Sequence, residues 1–277
     1  MPYRTICTTV ILVSFLAALS APAAEPELRI GKFSSANLAG WKEQTVFGSK
    51  KSTYSFVQDN GKTVLMGKSI DAASGLIYKI DIDPKVYPVI KWSWKIDHTV
   101  RKGNEKTKDG HDFAARLYVV FPRGLFSRTR AIEYVWGNVL RKGESIHSPY
   151  SKNAVMIAVD SGDDQAGHWL VHSRNFADDY RTAFGEEPPK AGAIAIMTDS
   201  DNTHESSTGY YGDITLLPAT KEEEPKPKEP KQQEPLPKEQ LQKALPAKTR
   251  PANQKDLANG AASRPSPPAA PSPAQSP

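Results

Sequence analysis

The residues best equipped for chemistry form one run, Asp199-Ser200-Asp201-Asn202-Thr203. Carboxylates and a side-chain amide at alternate positions can ligate an oxygen-preferring cation, which points to Ca²⁺ held by Asp199 and Asp201. The same groups can hydrogen-bond the hydroxyls of a sugar. They also suit an Asx-rich turn whose side chains satisfy their own backbone. The spaced glycine and terminal glutamate of an EF-hand are missing, so that motif is excluded. Two further pairs carry opposite charges. Asp112 and Arg116 fall on one face of an expected strand, and Arg174 and Asp179 bracket the start of an expected helix. Each pair reads as a buried ion pair, because buried charge must be compensated. Each reads equally as part of a polar site if it converges with an aromatic face such as Trp136 or Tyr118.

The expected ligand-contacting set is therefore Asp112, Arg116, Arg174, Asp179, Asp199, Asp201 and Asn202, all hydrogen-bonding, with Trp136 as a stacking platform. A catalytic alternative takes Asp112 and Asp199 as acid and base, provided that they stand ~5–9 Å apart across a cleft. The chain has no G-x-S-x-G elbow, no H-E-x-x-H, no phosphate loop and no dinucleotide fingerprint. His168 and His172 have the spacing of a helical metal pair, but His168-Trp169-Leu170-Val171-His172 reads as a strand. That would set the two rings ~13 Å apart, too far for one ion.

The elements that position these residues read as strands. Val89 to Ile96 alternates, with Trp92 and Trp94 on the apolar face and lysines opposite. Gly75 to Asp83 puts Leu76, Tyr78, Ile80 and Ile82 on one face. Tyr54-Ser55-Phe56 and Val64-Leu65-Met66 flank Asp59-Asn60-Gly61, a hairpin signal. Along Phe113 to Phe121, the residues Phe113, Ala115, Leu117, Val119 and Phe121 are expected in the core. Ala131 to Asn138 places Ile132, Tyr134 and Trp136 together. Ala154 to Val159 and Ala193 to Met197 are apolar on both faces and so are expected as central strands. Gly209 to Leu217 reads as a closing strand. One helix is expected after a cap at Asn175, with Phe176, Tyr180 and Phe184 as its apolar stripe and Gly185 at its end. About ten short strands, one helix and no α/β alternation predict a mainly β fold, an antiparallel sandwich of jelly-roll type.

The ends of the chain differ from its middle. Arg4, the apolar stretch from Val10 to Leu19 and Ala21-Pro22-Ala23 describe a secretory signal over residues 1–23. The stretch is too short for a spanning helix, so no transmembrane segment is expected in the mature chain. The only cysteine, Cys7, would leave with the signal. A domain over 24–217 would then be held by its core alone. From Lys221 to Pro277 the chain carries 13 of its 23 prolines and no aromatic residue. Such a segment over 218–277 is expected to be disordered, either a spacer or a contact for a partner or the cell wall. Removing it should leave the melting temperature within a degree or two, since surface changes cost under ~0.5 kcal/mol. Residues 24–220 hold 25 basic and 24 acidic side chains, so the chain's net charge of +5 resides mostly at its ends. That balance gives no electrostatic case for nucleic acid. Periplasmic export is the expected localisation.

Several segments together resemble a bacterial family known as domain of unknown function 3047. They are Trp92-Ser93-Trp94-Lys95, Asp112 to Phe121, Tyr134-Val135-Trp136-Gly137, Arg174 to Tyr180, Phe184-Gly185 and Asp199 to Thr203. The resemblance runs from about Gly31 to Leu217. It implies an exported bacterial protein and brings no catalytic residues with it. His111 stands where a second acidic residue is expected beside Asp112, which weighs against a paired-carboxylate role there. The reading that results is an exported binding module for carbohydrate or another polar cell-envelope ligand, with an envelope glycan hydrolase or lyase as the alternative.

Overall fold

A computed structural model of the chain describes residues 26–124 and 128–219. The expected signal segment, and the expected tail from residue 220 onward, lie outside the described residues. In chain order the strands are β1 (Leu28–Gly31), β2 (Trp41–Thr45), β3 (Thr53–Asp59), β4 (Lys62–Ile70), β5 (Ala73–Ile82), β6 (Val89–Ile96) and β7 (Arg116–Phe121). They continue with β8 (Arg130–Gly137), β9 (Ser145–Ser148), β10 (Ser151–Ser161), β11 (Leu170–Asn175), β12 (Ala191–Asp199), β13 (Ser206–Tyr211) and β14 (Ile214–Leu217). The α-helix, α1 (Phe176–Phe184), follows β11 directly.

The strands form two seven-stranded sheets. The first runs β1-β14-β6-β13-β4-β3, with β11 on the other edge of β6, and the second runs β2-β5-β12-β7-β8-β10-β9. Pairing is antiparallel except between β8 and β10, which are parallel. The hairpin between β3 and β4 turns on Asn60 and Gly61, both at positive φ (50° and 76°), as a two-residue turn that matches strand twist requires. Strands β10 and β12 are flanked on both sides, as their two apolar faces demand.

The alternation of β6 decides how the sheets meet. Its even residues point inward and meet β8: Trp92 stacks on Tyr134 with centroids 5.0 Å apart, and Trp94 lies 6.3 Å from Trp136. These four rings are at most 1% exposed, so a continuous aromatic layer joins the two sheets. Two local expectations change. Phe113 precedes β7 and packs with Val135, Leu140, Met156 and Ala158 on the outer side of the second sheet, not in the core between the sheets. The expected closing strand is divided. Tyr211 faces Trp94 while Thr215 faces Lys91, so one extra residue is inserted at Gly212-Asp213. This bulge lets one line of chain serve β4 through β13 and β1 through β14.

Helix α1 follows its sequence signals. The Asn175 side chain accepts from the backbone N–H groups of Ala177 and Asp178, both at 3.1 Å. Gly185 closes the helix at φ 68°, where its N–H reaches the Arg181 carbonyl. Phe176, Ala177 and Tyr180 are buried, and Tyr180 lies 4.6 Å from Phe121. The helix therefore covers one end of the sandwich.

Candidate functional site

Asp199 ends strand β12, paired with Ala73 of β5, and the loop that follows lies against the segment leading into β7. Two main-chain contacts lock this arrangement: Asp199 N–H donates to the Phe113 carbonyl at 3.1 Å, and Phe113 N–H donates to the Asp199 carboxylate at 3.1 Å. Asp112 then accepts from the backbone N–H groups of Asn202 (3.2 Å) and Thr203 (2.6 Å). Ser49, from the loop after β2, donates to Asp201 at 2.6 Å. Carboxylate oxygens of Asp112, Asp199 and Asp201 thereby come within 4.8 Å of one another. Asp112 and Asp199 are buried, and Asp201 is half-buried. Arg116 forms a buried ion pair with Asp199, not with Asp112 as a same-face pairing would have it. The Asn202 amide, oriented to suit its neighbours, donates to Asp112 and to the His111 carbonyl and accepts from the Tyr150 hydroxyl at 3.0 Å.

The charges in this cluster strain against burial. Burial pushes the Asp199 carboxyl up to about 8, and the neighbouring charges of Asp112 and Asp201 add to that against the opposing pull of Arg116. Burial also raises Asp112, against the hydrogen bonds from Thr203 and Asn202. His111, buried and close to Arg116, is pushed down to about 3 and so is a neutral imidazole at pH 7. Burial works against the Arg116 charge, but Asp199 together with Tyr118, Glu133 and Asp112 outweighs it, so Arg116 keeps its charge. On the same sheet face Glu133 is buried with one carboxylate oxygen lacking a hydrogen-bond partner, and burial raises its carboxyl as well. The Thr203 hydroxyl is buried beside Asp112 without a well-formed hydrogen bond.

The remaining expected residues stand apart from this cluster. Arg174 and Asp179 do pair, across the junction of β11 and α1, and Asp179 also accepts from the Tyr134 hydroxyl at 2.6 Å. Their partner is thus a core tyrosine. Trp136 is 1% exposed and its indole N–H donates to the Gly162 carbonyl at 2.9 Å. It presents no open face, so a role as stacking platform is corrected to one in the core. Of the eight expected residues the structure brings together Asp112, Arg116, Asp199, Asp201 and Asn202.

Sequence reasoning missed Ser49, Glu133 and Tyr150, which complete this surround with His111, noted there only as standing in place of an acidic residue. No spacing links Ser49 to Asp201, 152 positions away, so only the fold reveals it. It also missed Asp160, a buried carboxylate that accepts from Trp94 and His172, both at 2.7 Å. Asp160 ends an apolar run in β10, and a charged residue closing such a run is the one signal that marked it.

A family model described as "Protein of unknown function (DUF3047)" matches residues 39–215. No curated protein matches the chain. Among solved structures, a cleaved adhesin domain of Lys-gingipain from Porphyromonas gingivalis shares 12% identity over 69% of this chain and 99% of its own, with a TM-score of 0.38. A family 29 carbohydrate-binding module shares 9% identity over 69% of this chain and 91% of its own, with a TM-score of 0.34. The cellulose-induced protein Cip1 shares 9% identity over 70% and 97%, with a TM-score of 0.36. These are distant likenesses of shape. Among the described residues no helix is long and apolar enough to cross a membrane.

Proposed function

The chain belongs to this DUF3047 family, and from that premise we propose that it is an exported β-sandwich binding module for carbohydrate or another polar cell-envelope ligand. Its loops are pinned by a divalent cation at Asp112, Asp199 and Asp201. The observation that carries the reading is the state of those carboxylates. Asp112 is 0% and Asp199 2% exposed, each is engaged by backbone donors, and Asp199 is also held by Arg116. A general acid or base must touch a substrate proton, and an oligosaccharide cannot reach either group. The reading as a glycan hydrolase or lyase is therefore the weaker one.

The same geometry suits a cation. Three carboxyls face one guanidinium in a largely buried place, and burial and mutual repulsion push Asp199 and Asp112 towards their protonated forms. An oxygen-preferring divalent ion such as Ca²⁺ neutralises the carboxylates instead. Asp201 and Asn202 are the half-buried members, on the side from which an ion enters, and the Thr203 hydroxyl is a further oxygen within the cluster.

Two measurements on the purified protein test this. Melting in CaCl₂ and in EDTA should differ by several degrees, since an ion at 100 times its Kd adds about 2.7 kcal/mol of stability. Asp201→Asn should abolish most of that difference. No shift with Ca²⁺ or Mg²⁺ at about 10 mM, above the range of extracellular Ca²⁺ modules, would remove the cation. A blank glycan array together with a blank peptidoglycan pull-down would remove the ligand class.

A further inference from the structure

A groove of about 730 Å³ opens on the outer face of the first sheet, within the size range of small-ligand sites. Three independent features of the sequence build it. The tip of the β3–β4 hairpin supplies one wall with Asp59, Asn60 and Lys62. The residue preceding β11, Trp169, supplies the other. The floor is Ser93 of β6 and the bulge at Gly212, where the chains approach so closely that a Cβ on Gly212 would lie 2.1 Å from the Ser93 hydroxyl. Asp213 closes the end, held by the Ser34 N–H at 2.7 Å and hydroxyl at 2.6 Å.

Trp169 is unlike the other tryptophans. Trp41, Trp92, Trp94 and Trp136 are buried in the core, whereas Trp169 is half-buried and lines the groove. Its ring is also fixed. The indole N–H donates to Asp59, and the Lys95 ammonium bonds Asp59 at 2.8 Å and sits over both the Trp169 and Tyr210 rings. Beside it Val171 is 67% exposed, an apolar side chain on a sheet face that water otherwise covers. A pre-oriented aromatic ring and an apolar patch, rimmed by carboxylate, amide, hydroxyl and ammonium groups, match a sugar ring, with its apolar C–H face and its equatorial hydroxyls.

We infer that this groove, with Trp169 as its platform and Asp59, Asn60, Lys62, Ser93 and Asp213 as its polar rim, is where the protein binds a neutral oligosaccharide. The inference rests on the binding-module reading and gives it a place distinct from the acidic cluster.

The test uses the full chain and the fluorescence of its one half-buried tryptophan. Chitohexaose and cellohexaose serve as probes, in parallel with a peptide of residues 225–237, because a proline-rich strand also favours aromatic grooves. An oligosaccharide should shield Trp169 from acrylamide quenching. Trp169→Ala should weaken its binding about tenfold or more, as loss of a central aromatic contact does. Val171→Arg, at an exposed strand position, should block the groove while leaving the melting temperature unchanged. That variant keeps the test valid if Trp169→Ala unfolds. Binding by the unaltered protein that neither variant weakens overturns the groove and leaves the binding-module reading standing. No binding of either sugar by the unaltered protein, or shielding by the peptide alone, overturns the groove, and a blank glycan array in addition overturns the broader reading.

Discussion

Trp94 donates its indole N–H to Asp160 at 2.7 Å across the interface between the two sheets. The same carboxylate oxygen meets His172 Nε2 at 2.7 Å, and Asp160 is 3% exposed. A charge buried in an aromatic layer persists only when hydrogen-bonded. Burial pushes the Asp160 carboxyl up, but the bonds from His172 and Trp94 prevail and hold it below the usual aspartate range. The sign of its pH dependence follows. A carboxylate whose folded pKa is depressed adds stability above its unfolded value of about 3.9 and loses it as the pH falls through the folded value. Asp160→Asn should therefore cost about 2–4 kcal/mol at pH 7. Its stability should then vary less than that of the unaltered protein below about pH 4. Urea titrations from pH 2.5 to 7 measure both effects, and parallel curves would show that Asp160 is not the group responsible.

Arg116→Met tests the buried pair with Asp199. Removing Arg116 leaves Asp199 buried without its counter-charge, as an uncompensated charge or as a carboxyl that must take up a proton, and costs up to about 3–5 kcal/mol. Asp199→Asn in the same chain should recover part of that loss. A single-variant cost below about 1 kcal/mol would place the pair in the class of exposed ion pairs and contradict the burial described above.

Gly209 in β13 lies against the carbonyl of Ala114, and a Cβ there would stand 2.2 Å from that oxygen. The obstacle is backbone and cannot rotate away. Gly209→Ala should destabilise by at least the 1–3 kcal/mol typical of overpacking. Gly61→Ala, with nothing within 4 Å of the added atom, should cost only the strain of its positive φ, about 1 kcal/mol. Comparing the two melting curves separates crowding from backbone strain.

Asn175→Ala removes the cap from α1 and should cost about 1 kcal/mol, with Asn175→Asp close to neutral. Faster amide exchange confined to Ala177 and Asp178 is the expected signature. Global loss of protection would show that the cap also holds β11 in place.

The sequence by itself determined the parts of this protein whose physics is local. Alternation in Val89–Ile96 places Trp92 and Trp94 inward, because side chains change face at every residue of a strand. Asn60-Gly61 sets the hairpin, and Asn175 with Gly185 sets the ends of the helix, because each depends on backbone conformation within a few residues. The Asp199 to Thr203 run was legible as a polar loop for the same reason. Tertiary structure alone decided which of these residues meet. Whether Arg116 pairs with Asp112 or Asp199 depends on the register of β12 beside β7, where Met197 faces Arg116. Trp136 looks the same in sequence whether its strand face is covered or open, and its burial follows from β6 lying opposite. Ser49 and Trp169 were invisible as site residues, and Asp160 was marked only by closing an apolar run, because their partners Asp201, Asp59 and Trp94 lie 152, 110 and 66 positions away. Contacts at that separation arise from how two sheets stack, and no periodicity along the chain encodes them.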